Sequence, residues 1–242
     1  MKKLISISTT VRSPYRIPDQ LKVIKKYFEG KKWNNDTMPR EFMCRIIQSK
    51  AYSPSLKKLS QNDQIKYENN EILDFNFAKQ VFKKQNFDDE FRRSRSNFDP
   101  PRKLGFVNTF NGFLKVTSSG EELIKKEEKV SEIFLKALLK WQLPNFTQFK
   151  DYKAKDGYNI IPLIGFIKLI KSINKKYDRA VGISRTEINI FLPSLIDIND
   201  VDDVAEDILN FRIKFKQIKK KKDRSHFIKE TYRKFSKKNN FK

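Results

Sequence analysis

The sequence predicts a mainly α chain that carries small β hairpins. Three observations predict it. Apolar residues return at helical spacing in one segment after another, as Leu21, Ile24, Tyr27 and Phe28 do. One short stretch instead alternates in period two around Asn111-Gly112, a dipeptide that favours tight hairpin turns. At 242 residues with 38% apolar content, the chain can build a real core, as one large domain or two small ones.

Pro18-Asp19 opens the first helix and Gly30 closes it. A second helix is expected over 39–48, then a polar, turn-rich loop over 52–70 that holds a short helix at most. A helix over 71–84 is expected to turn Ile72, Phe75, Ala78, Val81 and Phe82 inward. Residues 91–103 are expected to form an irregular basic segment, because Pro100 and Pro101 stop a helix arriving from the N-terminal side. Two strands follow, over 104–109 and 113–117. Ser118 or Ser119 is expected to cap the next helix, with Glu121 and Glu122 at the positive end of its dipole. A longer helix over 131–141 precedes a loop over 145–159 in which Gly157 is the turn residue. Helices are then expected over 161–175, 184–191 and 200–216, the last acidic at its start and basic at its end. The like-charge run Lys219–Lys222 leads into a basic helix over 225–237, and no internal repeat is visible.

The net charge of +23 is the strongest compositional feature, and a charge of that size attracts polyanions. Two readings of the lysine excess stand side by side: a binding surface for nucleic acid, and the amino-acid usage of an AT-rich genome. Arginine discriminates better, because its planar fork binds phosphate and guanine bidentately. The arginines cluster, Arg12 with Arg16 and Arg92, Arg93 and Arg95 with Arg102, which favours a surface.

Several classes are excluded. The 21 Phe and 8 Tyr argue against a disordered tail. Cys44 is the only cysteine, so no intramolecular disulfide or multi-Cys metal site can form. His226, the only histidine, lies among basic residues and reads as an exposed helix residue. The most apolar stretch, 158–173, is broken by Lys168 and Lys171 and is too short to span a bilayer. No apolar signal core follows Met1-Lys2-Lys3, so no membrane partner and a cytoplasmic location are expected.

A helix, a hairpin and a second helix framed by Arg and Lys have the outline of a winged-helix unit, and equally of an ordinary hairpin that covers the core. Resemblance narrows the choice. The run Ile7-Ser8-Thr9-Thr10-Val11-Arg12-Ser13-Pro14-Tyr15-Arg16-Ile17 resembles the opening signature of the AlwI family of type IIS restriction endonucleases. So, in order, do Glu29-Gly30-Lys31-Lys32-Trp33, Arg93-Ser94-Arg95, Lys103-Leu104-Gly105-Phe106-Val107, Lys155-Asp156-Gly157-Tyr158-Asn159-Ile160 and Gly182-Ile183-Ser184. The most specific block is Phe134-Leu135-Lys136-Ala137-Leu138-Leu139-Lys140-Trp141-Gln142-Leu143-Pro144-Asn145.

The resemblance implies tandem winged-helix-like DNA-recognition subdomains that read a short asymmetric site on double-stranded DNA. It also implies a separate PD-(D/E)XK nuclease domain that uses magnesium to cut outside that site. The expected domains are 1–145, 146–218 and a basic helical tail over 219–242, with the nuclease domain or subunit lying outside these residues. Arg12, Arg16, Arg93 and Arg95 are the first candidates for DNA contact, followed by Arg102, Lys103, Lys153 and Lys155.

Pro18-Asp19 and Glu29-Gly30-Lys31 spell a literal PD…ExK pattern, but the residues between them have helical spacing. Such a site needs both acids on one metal, and a helix would hold them apart. No catalytic residue and no cofactor are therefore expected in this chain. Three roles remain open: the recognition part of an endonuclease, a stand-alone winged-helix DNA-binding protein, and a compact nuclease with an unrecognised site.

Overall fold

The computed structural model describes residues 2–5, 13–34, 36–145, 148 and 150–238. The chain divides into two compact units, Ile7–Ala137 and Met1–Ser6 with Leu138–Lys242.

The first unit begins with α1 (Ile17–Tyr27), whose Pro18 lies in the first turn where a missing N–H costs nothing. The helix stops at its C-cap Phe28, and Gly30, at φ +74°, a left-handed conformation that glycine adopts without strain, turns the chain so that its N–H donates to Leu114 (2.9 Å). Next come α2 (Met38–Gln48), α3 (Gln61–Asn69) and α4 (Phe75–Lys84). The Asp74 carboxylate caps α4 by accepting from the amides of Asn76 and Phe77. That cap starts the helix later than the apolar spacing suggests, so Ile72 lies outside it, 69% exposed, while Leu73 is buried.

α5 (Glu90–Lys103) occupies the segment expected to be irregular. Asp89 caps it through the Arg92 amide, and both prolines fall in its last turn. A helix-interior proline costs about 3 kcal/mol. Here both rings are buried, and their carbonyls still accept from the amides of Leu104 (3.0 Å) and Phe106 (2.9 Å). Packing of α5 against α2, through Ser94, Asn97 and Phe98, offsets the two lost backbone bonds.

Strands β1 (Val107–Phe110) and β2 (Phe113–Val116) pair antiparallel, with Val107 opposite Val116 and Phe110 opposite Phe113. Asn111 (φ +49°) and Gly112 (φ +83°) form the turn, both left-handed as the twist of a two-residue hairpin requires. An isolated bridge that periodicity did not reveal lies along the outer edge of β2. Lys32 bridges Phe113, with Trp33 N–H donating to Gly112 (2.8 Å) and Leu114 N–H to Lys31 (3.0 Å).

Thr117, not Ser118 or Ser119, caps α6 (Ser118–Lys125) by accepting from the Gly120 amide. Gly120 is glycine for a steric reason: a Cβ there would lie 2.3 Å from the Phe106 carbonyl oxygen. α7 (Val130–Lys140) follows. The core of this unit joins Leu21, Ile24 and Phe28 to Phe42, Met43, Ile46, Val81, Phe98 and Phe106, all buried. Burial also pushes the Cys44 thiol up to about 11, so it is inert at neutral pH.

The second unit is helical: α8 (Pro162–Tyr177), α9 (Arg185–Phe191), α10 (Val201–Gln217) and α11 (Lys221–Lys238). Among its described residues the strand-like pairings are isolated bridges, Leu143 with Ile160 and Asn159 with Asp197, and no hairpin like that of the first unit is present. Rings of Phe191, Phe211, Phe227 and Phe235 cluster where α9, α10 and α11 meet. The N-terminal residues are clasped here, Lys3 N–H donating to the Tyr158 hydroxyl (2.7 Å) and the Tyr152 hydroxyl to the Leu4 carbonyl (3.2 Å). Glu187 completes a capping box with Ser184 and receives Nε (2.7 Å) and Nη2 (2.9 Å) of Arg212. No helix among the described residues is long and apolar enough to cross a membrane.

Candidate nucleic-acid interface

The three cations expected on a loose segment stand on a helix. Arg92, Arg93 and Arg95 are all exposed on α5, whose opposite face, Ser94, Asn97 and Phe98, is buried. Helical spacing puts Arg92, Arg95, Ser96 and Asp99 on one stripe. Arg93 leaves that stripe and lays its guanidinium over the Phe87 ring, 5.0 Å from its centroid. A polar cleft of about 510 Å³ opens beside the first turns of α5, lined by Lys58, Asn86, Phe87, Asp88, Asp89, Arg92, Arg93 and Ser96. In the sequence Lys58 is one of a Lys57-Lys58 pair in a polar segment, which carries no weight until the fold places it beside Arg92.

At the other end of α5 the charges are partly answered. Arg102 and Lys103 both face Asp99, at 3.3 Å and 3.7 Å, and Lys103 is mostly covered. These two are therefore weaker candidates than their positions in the sequence suggest. Arg16 is exposed, in the turn Pro14–Arg16 just before α1, and its neighbour Tyr15 hydrogen-bonds Ser131 (2.9 Å). Arg12 lies outside the described residues. Lys153 and Lys155 are exposed around the turn Ala154–Asp156 of the second unit. The fold thus brings Arg92, Arg93 and Arg95 together on one element, with Arg102 and Lys103 at its far end against Asp99, and leaves Arg16, Lys153 and Lys155 on other elements.

α5 is tied to the hairpin. Only Leu104–Phe106 separate it from β1, and that link is closed by Gly105 N–H to Arg102 (3.1 Å) and Phe106 N–H to Pro101 (2.9 Å). Phe98 of α5 also stacks on Trp33, next to the Lys32 bridge, ring centroids 4.2 Å apart. Lys31 and Lys32 are exposed at the bridge and Lys115 on β2.

The literal PD…ExK acids do not make a magnesium site. Asp19 lies in the first turn of α1 and pairs with Lys22 (3.3 Å). Glu29 lies past the other end, about 15 Å away at the rise of a helix, and its carboxylate accepts from the Val116 amide (3.0 Å). Among the described residues, no three of His, Cys, Asp and Glu come together to hold a metal. His226 is exposed on α11.

Comparison with known proteins agrees with the resemblance. The family model described as AlwI restriction endonuclease matches residues 102–242, which include the hairpin, α7 and the whole helical second half. The blocks at 103–107, 134–145, 155–160 and 182–184 fall within the match, and those at 7–17, 29–33 and 93–95 lie before it. No curated protein matches the chain. With more than half of its length matched, the chain belongs to the AlwI restriction endonuclease family, whose substrate is DNA.

Proposed function

We propose that this chain carries sequence-specific recognition of double-stranded DNA for a type IIS restriction endonuclease. The observation that carries this reading is the exposed Arg92 and Arg95 stripe on the helix that runs directly into the β1–β2 hairpin. The order α1, the Lys32 bridge, α2, α3, α4, α5, β1, β2, with Lys32 bridged to β2, supports a winged-helix reading in which α3 and α4 are inserted ahead of α5 and α5 takes the place of the groove-reading helix. Arg92 and Arg95 read base edges, since Arg is the side chain best matched to guanine O6 and N7 in the major groove. Arg16, and on the second unit Lys153 and Lys155, hold phosphates.

Magnesium and the scissile phosphate belong to a nuclease domain or subunit outside these residues. The separation of Asp19 and Glu29 by the length of α1 supports that division. Sequencing the duplexes that the protein retains from a randomised pool tests the reading. One short asymmetric motif is expected to be enriched, and lost with Arg95→Ala. Retention without enrichment of any motif would reduce the reading to non-specific binding.

A further inference from the structure

The hairpin tip carries a feature that sequence-specific recognition by α5 does not use. In the β1–β2 register, Val107, Leu114 and Val116 turn into the core, and Asn108, Phe110, Phe113 and Lys115 take the other face. Phe110 and Phe113 are direct cross-strand partners at the last pair before the turn, yet they are 69% and 48% exposed. Two opposed aromatic rings at a tip are left unburied at a cost that a partner must repay.

The surroundings say which partner. Lys31, Lys32 and Lys115 are exposed around the tip, and no Asp or Glu occurs in 31–34 or 106–117. The Lys32 stem runs beside the turn, its Cγ and Cε 3.9 Å from where a Cβ on Gly112 would sit. A cationic rim around an aromatic centre, with the Glu29 carboxylate held back at the base of the hairpin on the Val116 amide, is complementary to a phosphate backbone with bases between its strands. The tip is also held firmly relative to α5 by the Trp33–Phe98 stack, so the rings can be driven into a groove.

We infer that Phe110 and Phe113 form a wedge that enters duplex DNA at a base step and unstacks it while α5 occupies the adjoining groove. The inference rests on the DNA-recognition reading above. Apolar side chains inserted in this way unstack a step and bend the duplex, at an energetic cost that falls when the step is already open.

The experiment compares an intact short duplex with the same duplex carrying one abasic position beside 2-aminopurine. The wild-type chain is expected to bind the abasic duplex about tenfold tighter, as a prepaid unstacking cost implies, and to change the 2-aminopurine fluorescence. The Phe110→Ser/Phe113→Ser chain is expected to bind both duplexes alike, with the wild-type salt dependence, because every lysine is retained. Phe110→Trp should keep the preference. Far-UV circular dichroism checks the variants, and Phe110→Ser alone serves if the double variant unfolds. Equal wild-type binding to both duplexes, with unchanged fluorescence, overturns the wedge and leaves DNA binding standing. A preference that survives loss of the rings also overturns it. No binding to either duplex removes the DNA reading, and the wedge with it.

Discussion

Phe98 of α5 lies against Trp33 with ring centroids 4.2 Å apart and planes 12° from parallel. Phe98 in turn meets Phe42 edge-on at 5.5 Å, and Phe42 meets Phe28 at 6.0 Å. One line of rings therefore runs from α1 through α2 and α5 to the edge of the hairpin. Removing Phe98 opens this line at its buried centre. Phe98→Ala is expected to cost about 3–5 kcal/mol in denaturant unfolding, by cavity formation and lost transfer energy. A double-mutant cycle with Trp33→Ala should give a coupling of about 0.5–1.5 kcal/mol, as for other aromatic pairs. Additive effects would show that the stack holds nothing.

Arg95, mid-helix, and Arg102, in the last turn of the same helix, should behave differently. Arg95 is exposed on the stripe with Arg92, whereas Arg102 faces Asp99. In competition binding, Arg95→Ala should weaken the enriched site by about tenfold or more, the effect of losing about 1–3 kcal/mol of base discrimination, and leave scrambled duplex unchanged. Arg102→Ala should weaken both to the same small degree or neither. An equal loss for both duplexes with Arg95→Ala would make Arg95 a phosphate anchor.

Glu29 offers a structural prediction where its sequence context invites a catalytic one. Its carboxylate accepts the Val116 amide and so joins the end of α1 to β2. Glu29→Ala is expected to cost about 1–3 kcal/mol of stability, the penalty of a buried amide left unpaired, with Glu29→Gln recovering part. Magnesium-dependent DNA cleavage, wherever the protein shows it, should be the same in folded Glu29→Gln and the wild type. Loss of cleavage with Glu29→Gln at unchanged stability would restore the catalytic reading.

In the second unit, the Glu187–Arg212 pair should set an acid limit. Burial alone would raise the Glu187 carboxyl, but hydrogen bonds from Arg212 and Ser184 outweigh it and hold the group below its usual 4.5. A lowered folded-state value means that the pair's contribution is complete above pH 4.5 and is lost as pH falls through the lowered value. Unfolding measured against pH should show this acid loss in the wild type and less of it in Glu187→Gln. Arg212→Ala, which strands a buried carboxylate, should cost about 3–5 kcal/mol at neutral pH. A flat stability profile below pH 4.5 would contradict the assignment.

The binding equilibrium itself should be steeply salt-dependent. Each neutralised phosphate adds roughly −0.9 to the log–log slope, and the charge of +23 provides many cations to neutralise them. A binding constant that barely moves between low and moderate salt would leave the basic surface without a role.

The sequence alone determined the elements whose instructions are local. Leu21, Ile24 and Phe28 marked the buried face of α1, and all three are buried. Asn111-Gly112 marked the hairpin turn because only left-handed conformations close a two-residue loop with the right twist. The blocks at 134–145 and 155–160 marked the family, and both fall within the matched residues. Tertiary structure decided what rests on distant partners. Whether residues 90–103 form a helix depended on α2, because only packing against it offsets two prolines that disfavour a helix locally. The bridge at Lys32 is too short to show a period, and exists because Lys31 and Trp33 bond to Leu114 and Gly112 of the hairpin. The fate of each arginine was settled the same way. Arg95 and Arg102 are one residue type in one basic cluster, and only the fold aims one outward and sets the other against Asp99.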